Sequence, residues 1–147
     1  ACLAEAPAAQ LLLVGDGPLE PELRALAAEL GIQDSVHFPG ARRDTPALYG
    51  AMDVFAMPSR YEGLSMALLE AQAAGLPCVV SDTVSRESDV TGRMDFLPAD
   101  HTGPWVECLL RRCAPADRVQ GIGEAFRRRR LDIHTAVRDL TEIYEGI

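Results

Sequence analysis

The sequence predicts an α/β fold, a parallel sheet flanked by crossover helices, and three observations lead there. Short apolar runs of strand length recur along the 147 residues. Stretches with helical periodicity stand between them, so strands and helices alternate. Glycine and proline mark the joints: Pro18 stands near the start of the first long helix and Gly31 just past its end, while Gly75 and Pro77 stop a later one.

Ala1 to Gln10, rich in alanine and closed by Pro7, reads as the tail of a helix. A first strand is expected near Gln10 to Val14. The Gly15-Asp16-Gly17-Pro18 turn after it has two glycines where a dinucleotide fingerprint needs three, so it reads as a tight strand-to-helix turn. The helix from Pro18 to Leu30 places Leu19, Leu23, Leu26 and Leu30 on one face. A second strand near Ser35 to Phe38 and a helix over Asp44 to Ala51 follow. Asp53 to Met57 is apolar enough for a buried parallel strand. Leu64 to Ala74 reads as helix, Pro77 to Ser81 as strand, and Asp95 to Leu97 as a short last strand. From about Pro104 a helical appendix is expected, ending in an amphipathic helix that carries Ile133, Val137, Leu140 and Tyr144. No repeat or low-complexity linker interrupts the chain, so residues 1–147 read as a single domain.

Composition narrows the function classes. With 48% hydrophobic and 24% charged residues the chain resembles a soluble globular domain, and no apolar run reaches the ~20 residues of a membrane span. No signal peptide is visible within these residues, and the cytoplasmic reading comes from the cysteine pattern. A net charge of −8 argues against a nucleic-acid binder. All 14 basic residues are arginine, which removes Schiff-base chemistry and a lysine phosphate clamp. Cys2, Cys78, Cys108 and Cys113 show neither C-x-x-C spacing nor histidine partners and read as reduced thiols. Cys108 and Cys113 are expected on one helix, facing different ways. His37, His101 and His134 are scattered and read as structural or exposed. Arg127 to Arg130 form a basic run, either a solvated face or a peripheral contact with anionic lipid at the inner face of the plasma membrane.

The chemistry concentrates in Pro58-Ser59-Arg60-Tyr61-Glu62-Gly63-Leu64-Ser65-Met66-Ala67-Leu68-Leu69-Glu70, which runs from a strand end through a glycine loop into a helix. Such a junction traps anions, because unpaired backbone N–H groups and the helix dipole aim at one spot. With Leu64 to Ala74 helical, eight steps put Glu62 and Glu70 roughly 12 Å apart. That is too far for an acid/base pair across one glycosidic bond. It suits a long ligand with hydroxyls at both ends and charge between, such as a nucleotide-sugar, with the amides of Ser65, Met66 and Ala67 meeting the phosphates.

This run resembles the E-x7-E signature of the retaining GT-B glycosyltransferases, specifically the family 4 group that uses nucleotide-sugar donors. Leu12 to Pro18, Val36 to Gly40, Tyr49 to Glu62 and Ala71 to Asp82 resemble further family blocks in the expected order. Ala71 to Cys78 followed by Ser81 to Glu87 is most similar to bacterial capsule and exopolysaccharide transferases. The resemblance implies a Rossmann-like domain, the C-terminal half of a GT-B fold, in which Glu62 holds the donor sugar and Glu70 the ribose. Gly63, Leu64, Ser65, Met66 and Ala67 would present amides to sugar and diphosphate. Pro39, Gly40, Ala41 and Arg42 would lie against the base, mostly through backbone. Ser65 stands where relatives often carry glycine, and the loop after Ser81 lacks their paired glycines.

Enzymes of this kind need two facing domains, so the chain reads as a fragment, inactive alone, whose partner is the N-terminal acceptor-binding domain of the same parent. The arginine and lysine that neutralise the diphosphate in relatives have no counterpart here. No D-x-D triplet occurs, so no metal is expected, and the substrate would be a UDP- or GDP-linked sugar transferred to a polysaccharide or lipid-linked acceptor. Two alternatives stand beside this reading: a UDP-sugar epimerase of GT-B layout, and a non-enzymatic flavodoxin-like interaction module. The latter needs an acidic cluster at the early strand ends, and Asp16 alone follows the first strand.

Overall fold

The computed structural model describes residues 1–113 and 118–146. They fall into two compact units, Ala1–Ala47 and Leu48–Ile147. Every strand pairing is parallel, as the alternation of elements requires. The pairing forms two sheets, however, where a single one was expected: one of two strands and one of three.

In the first unit, β1 (Leu11–Val14) pairs with β2 (Val36–Gly40), with a register irregularity between Leu12 and Val14. A short α1 (Cys2–Glu5) precedes them, and α2 (Glu20–Glu29) makes the crossover. This helix starts two residues after Pro18 and carries Pro21 in its first turn, where a missing N–H costs nothing. It ends in a Schellman-type reversal: Gly31, at φ +66°, donates to the Ala28 carbonyl and Ile32 to that of Ala27. Arg24 straps α2 to β2, its guanidinium 4.4 Å from the centre of the Phe38 ring. The residue that α2 buries is Ala27, while Leu19, Leu23, Leu26 and Leu30 are all exposed. The periodicity that grouped these leucines therefore does not mark the buried side of the helix.

The second unit is built on β3 (Phe55–Met57), β4 (Cys78–Ser81) and β5 (Met94–Leu97), in that spatial order. All four residues of β4 are buried, and its alternating side chains serve two layers. Cys78 and Val80 join Tyr49, Met57, Leu68, Ala71, Leu76 and Val84 in one cluster. Val79 packs the opposite way, against Trp105 and Cys108 of α5 (Thr102–Arg112). The first cluster is roofed by α4 (Met66–Ala73), which buries Leu68, Leu69, Ala71 and Gln72. Burial, with the Asp89 charge adding to it, pushes the Cys78 thiol up to about 12, so it behaves as an apolar side chain. Cys108 is buried and Cys113, at the end of the same helix, is exposed, so the two face different ways.

The turns that lead into β3 and β4 share one tie. Arg118 donates to the carbonyls of Tyr49 (3.3 Å) and Gly50 (2.9 Å) in the last turn of α3 (Thr45–Ala51), to Met52 (2.7 Å), and to Ala74 (3.0 Å) at the end of α4. A cation thus sits at the negative ends of two helices. Next to it, Gly75 has φ +79°, and an added Cβ would lie 2.9 Å from Ile122 Cδ1 and 3.3 Å from the Val119 carbonyl. Gly75→Ala is therefore expected to cost about 1–2 kcal/mol from the left-handed backbone alone, read as a lower urea midpoint. An unchanged midpoint would contradict the strain argument.

The C-terminal stretch continues through α6 (Ile122–Arg128) and α7 (Ile133–Glu145), the latter capped by Asp132, whose side chain accepts from the amides of His134 and Thr135. Residues 114–117 of the expected helical appendix lie outside the described residues. The α7 stripe of Ile133, Val137, Leu140 and Tyr144 is exposed. The four arginines of the basic run Arg127 to Arg130 are exposed, and three of them have partners within the protein. Arg128 pairs with Glu124, Arg129 donates to the Asp89 carbonyl, and Arg130 pairs with Asp139. Among the described residues, no helix is long and apolar enough to cross a membrane.

Candidate functional site

The loop after β3 leaves the sheet at the carboxyl end of a parallel strand, where open α/β sheets receive ligands. Ser59 anchors it. Its carbonyl accepts from the hydroxyls of Ser81, the last residue of β4, and of Thr83 in the turn just beyond it, the latter at 2.8 Å. Its own hydroxyl donates to Glu62 Oε1 at 2.9 Å, which fixes the half-buried carboxylate. Gly63 follows, and an added Cβ there would meet nothing within 4 Å, so the space above it is open.

Helix α4 begins at Met66, two residues later than expected. Leu64 and Ser65 lie outside it because Ser65 is the N-cap, at φ −76° and ψ 117°, its hydroxyl accepting from the Leu68 amide at 3.4 Å. Serine at this position thus needs no glycine-like backbone. It supplies a cap that glycine lacks. The late start also revises the span between the two glutamates, since only Met66 to Glu70 rises helically, about 6 Å at 1.5 Å per residue. Among the described residues no protein acceptor takes the amides of Ser65, Met66 and Ala67. They remain as open donors at the positive end of the helix dipole.

Glu70 is exposed on the same helix. Beside it, the Tyr49 hydroxyl donates to the Ala67 carbonyl at 3.2 Å. Burial, and then the Glu70 charge, push this phenol up to about 12, so it stays a donor throughout the physiological range. Sequence reasoning gave Tyr49 no such role. It missed Gln72 as well. This fully buried side chain donates from Nε2 to the carbonyls of Leu68 (3.3 Å) and Ser88 (2.9 Å), while Oε1 accepts from the amides of Val90 (2.9 Å) and Thr91 (3.3 Å). The signal was present: a glutamine four residues after Leu68 and three after Leu69 stands on the buried face of the helix.

Glu62, Gly63, Leu64, Ser65, Met66, Ala67 and Glu70 thus lie together in the second unit, while Pro39, Gly40, Ala41 and Arg42 belong to the first. There the ends of β1 and β2 are stitched to each other. Gly15 donates to the Gly40 carbonyl at 3.0 Å, and Ala41 donates to Asp16 Oδ1 at 3.0 Å. Gly40 has φ +70° and an added Cβ would lie 3.2 Å from that carboxylate oxygen, so both conformation and space call for glycine. Two backbone groups of this loop are therefore engaged internally. Arg42 forks onto Asp44 at 2.8 and 2.7 Å, and this hydrogen-bonded pairing raises the guanidinium and lowers the carboxyl from their ordinary values. His37 pairs with Gln10 at 2.6 Å, a structural tie. Among the described residues no cluster of three or more His, Cys, Asp or Glu side chains could hold a metal ion.

Residues 1–112 match the family described as Glycosyl transferases group 1. The chain is 39% identical over 107 residues to the putative glycosyltransferase EpsF of Bacillus subtilis, a match covering 71% of this chain and 28% of that protein. It is also 39% identical over 108 residues to the UDP-Gal:alpha-D-GlcNAc-diphosphoundecaprenol alpha-1,3-galactosyltransferase of Escherichia coli, again covering 71% and 28%. The chain therefore spans less than a third of these relatives. Among solved structures, Anabaena HepE in complex with UDP-glucose superposes with a TM-score of 0.72 at 23% identity, over 99% of this chain and 43% of that one. That likeness concerns the fold, parallel sheets flanked by helices as in GT-B glycosyltransferases.

Proposed function

We propose, for a chain that belongs to the glycosyl transferases group 1 family, that the Glu62 to Glu70 segment binds the nucleotide-diphosphate sugar donor of a retaining glycosyltransferase. The observation that carries this reading is the row of open amides at Ser65, Met66 and Ala67, at a helix start between two carboxylates. Acceptor-free N–H groups on a helix dipole stabilise a leaving diphosphate without a metal, because the donors are already oriented when charge develops. Glu62, oriented by Ser59, takes the sugar hydroxyls, and Glu70 takes the ribose. The loop Pro39 to Arg42 is assigned to the base, through backbone atoms other than the Ala41 amide and Gly40 carbonyl. The retaining chemistry that the family resemblance implies has the acceptor hydroxyl attack on the face from which the diphosphate leaves, and no side chain on this segment is placed as a nucleophile. The acceptor, a polysaccharide or lipid-linked saccharide, is held largely by the N-terminal domain of the parent, and the activity belongs to that whole protein. UDP-glucose in the complex of a protein with this fold supports the ligand class.

Calorimetric titration with UDP, GDP and their sugar conjugates tests the assignment. Glu70→Ala is expected to weaken every nucleotide about tenfold, the loss of a charged hydrogen-bond acceptor at ~1.4 kcal/mol. Glu62→Ala is expected to weaken only the sugar conjugates. Equal losses for both variants on bare UDP would overturn the division of roles.

A further inference from the structure

Beyond Gly63 and Leu64 opens a cleft of about 450 Å³ whose remaining walls the donor reading does not use. Ser85, Glu87 and Val90 from the loop after β4 form one side, and Arg129 and Leu131 from the segment between α6 and α7 form the other. The volume lies within the roughly 300–1,000 Å³ of small-molecule pockets.

The walls are held in place. The buried Gln72 amide fixes Ser88 and Val90, and Arg129 donates to the Asp89 carbonyl at 3.0 Å. That bond uses one of about five guanidinium N–H groups and leaves the side chain with further donors. Ser85 accepts from the Glu87 amide at 3.3 Å and keeps its own proton to donate. The exposed Glu87 carboxylate receives no donor from a described residue. Leu64, 62% exposed, and Leu131, 43% exposed, leave apolar surface beside these groups.

One carboxylate and one guanidinium balance each other, so the cleft selects neither a diphosphate nor a polycation. Fixed hydroxyl-binding groups next to apolar patches match a sugar ring, which alternates hydroxyls with C–H faces. We propose that this cleft binds a neutral saccharide ring and serves as a subsite for the acceptor sugar on this chain. Calling that sugar the acceptor rests on the donor reading above. The preference for a saccharide rests on the lining alone.

The test is a ¹H–¹⁵N NMR titration of the full chain with methyl α-D-glucopyranoside, methyl α-D-galactopyranoside and N-acetylglucosamine, with and without UDP. At least one is expected to shift the amides of Gly63, Ser85, Glu87 and Arg129, with a dissociation constant on the order of millimolar. Glu87→Gln should weaken that binding several-fold while leaving the rest of the spectrum unchanged, since Glu87 has no structural partner to lose. No shift from any of the three, or shifts that Glu87→Gln leaves intact, would overturn the proposal. A UDP-sugar that displaces the bound glycoside would overturn the claim of a separate subsite. Failure of the donor reading looks different: UDP leaves Met66 to Glu70 unshifted while the glycoside still moves the cleft.

Discussion

Gln72→Leu is expected to destabilise the second unit by about 3–4 kcal/mol, because a buried peptide group stripped of its partner costs 1–3 kcal/mol. The volume of the side chain is nearly kept, so the loss isolates hydrogen bonding from packing. Leucine leaves the Ser88 carbonyl and the Val90 amide, both bonded at 2.9 Å in the native protein, without a replacement in a dry environment. Gln72→Glu should fare no better, since a carboxylate cannot donate to the Ser88 carbonyl and would bring a charge into a fully buried site. Trp105, the single tryptophan of the chain, packs against Val79 in the same unit and reports the transition by fluorescence. A loss below about 1 kcal/mol would mean that water or a rearranged loop replaces the amide. The same variant has a local consequence. Gln72 stands two residues after Glu70 and grips the loop that carries Ser85 and Glu87, so hydrogen exchange at Val90 and Thr91 should accelerate before the strands open.

Arg118→Ala is the second large effect, expected at about 2–3 kcal/mol for several charge-assisted bonds that are only partly shielded from water. Its acceptors are carbonyls at the ends of α3 and α4, which lie where the chain enters β3 and β4. The opposite, carboxyl ends of these strands carry the candidate site. Stability should therefore fall while nucleotide affinity, measured at a temperature where the variant is folded, stays within about twofold, ~0.4 kcal/mol. Arg118→Lys is expected to recover little, because one ammonium with three donors cannot span carbonyls contributed by two helix ends. An affinity loss as large as that of Glu70→Ala would show that the two ends of the sheet are coupled.

The parts of this structure that were legible in the sequence are those encoded by near neighbours. Strand and helix positions followed from apolar runs and from Gly31 and Gly75, both of which adopt the positive φ that ends a helix. The strand–loop–helix around Glu62 and Glu70 was legible for the same reason. Long-range partners were not. Gln72 reaches residues 16 to 19 positions away, and Arg118 reaches back 44 to 69; no local pattern encodes such distances. The grouping of the strands into two sheets was hidden likewise, since a strand's sequence tells which face is apolar and not which edge finds a neighbour. The leucines of α2 make the complementary point: period alone assigned them to one face, and the structure leaves that face open.

The grip of Ser81 and Thr83 on the Ser59 carbonyl bears on engineering. The shape of the glutamate loop is partly written more than twenty positions downstream, in two hydroxyls that touch no predicted ligand group. Transplanting Pro58 to Glu70 alone into another α/β scaffold would carry the open amides across and leave Glu62 unaimed. A portable version of this segment includes the Ser81-to-Thr83 turn.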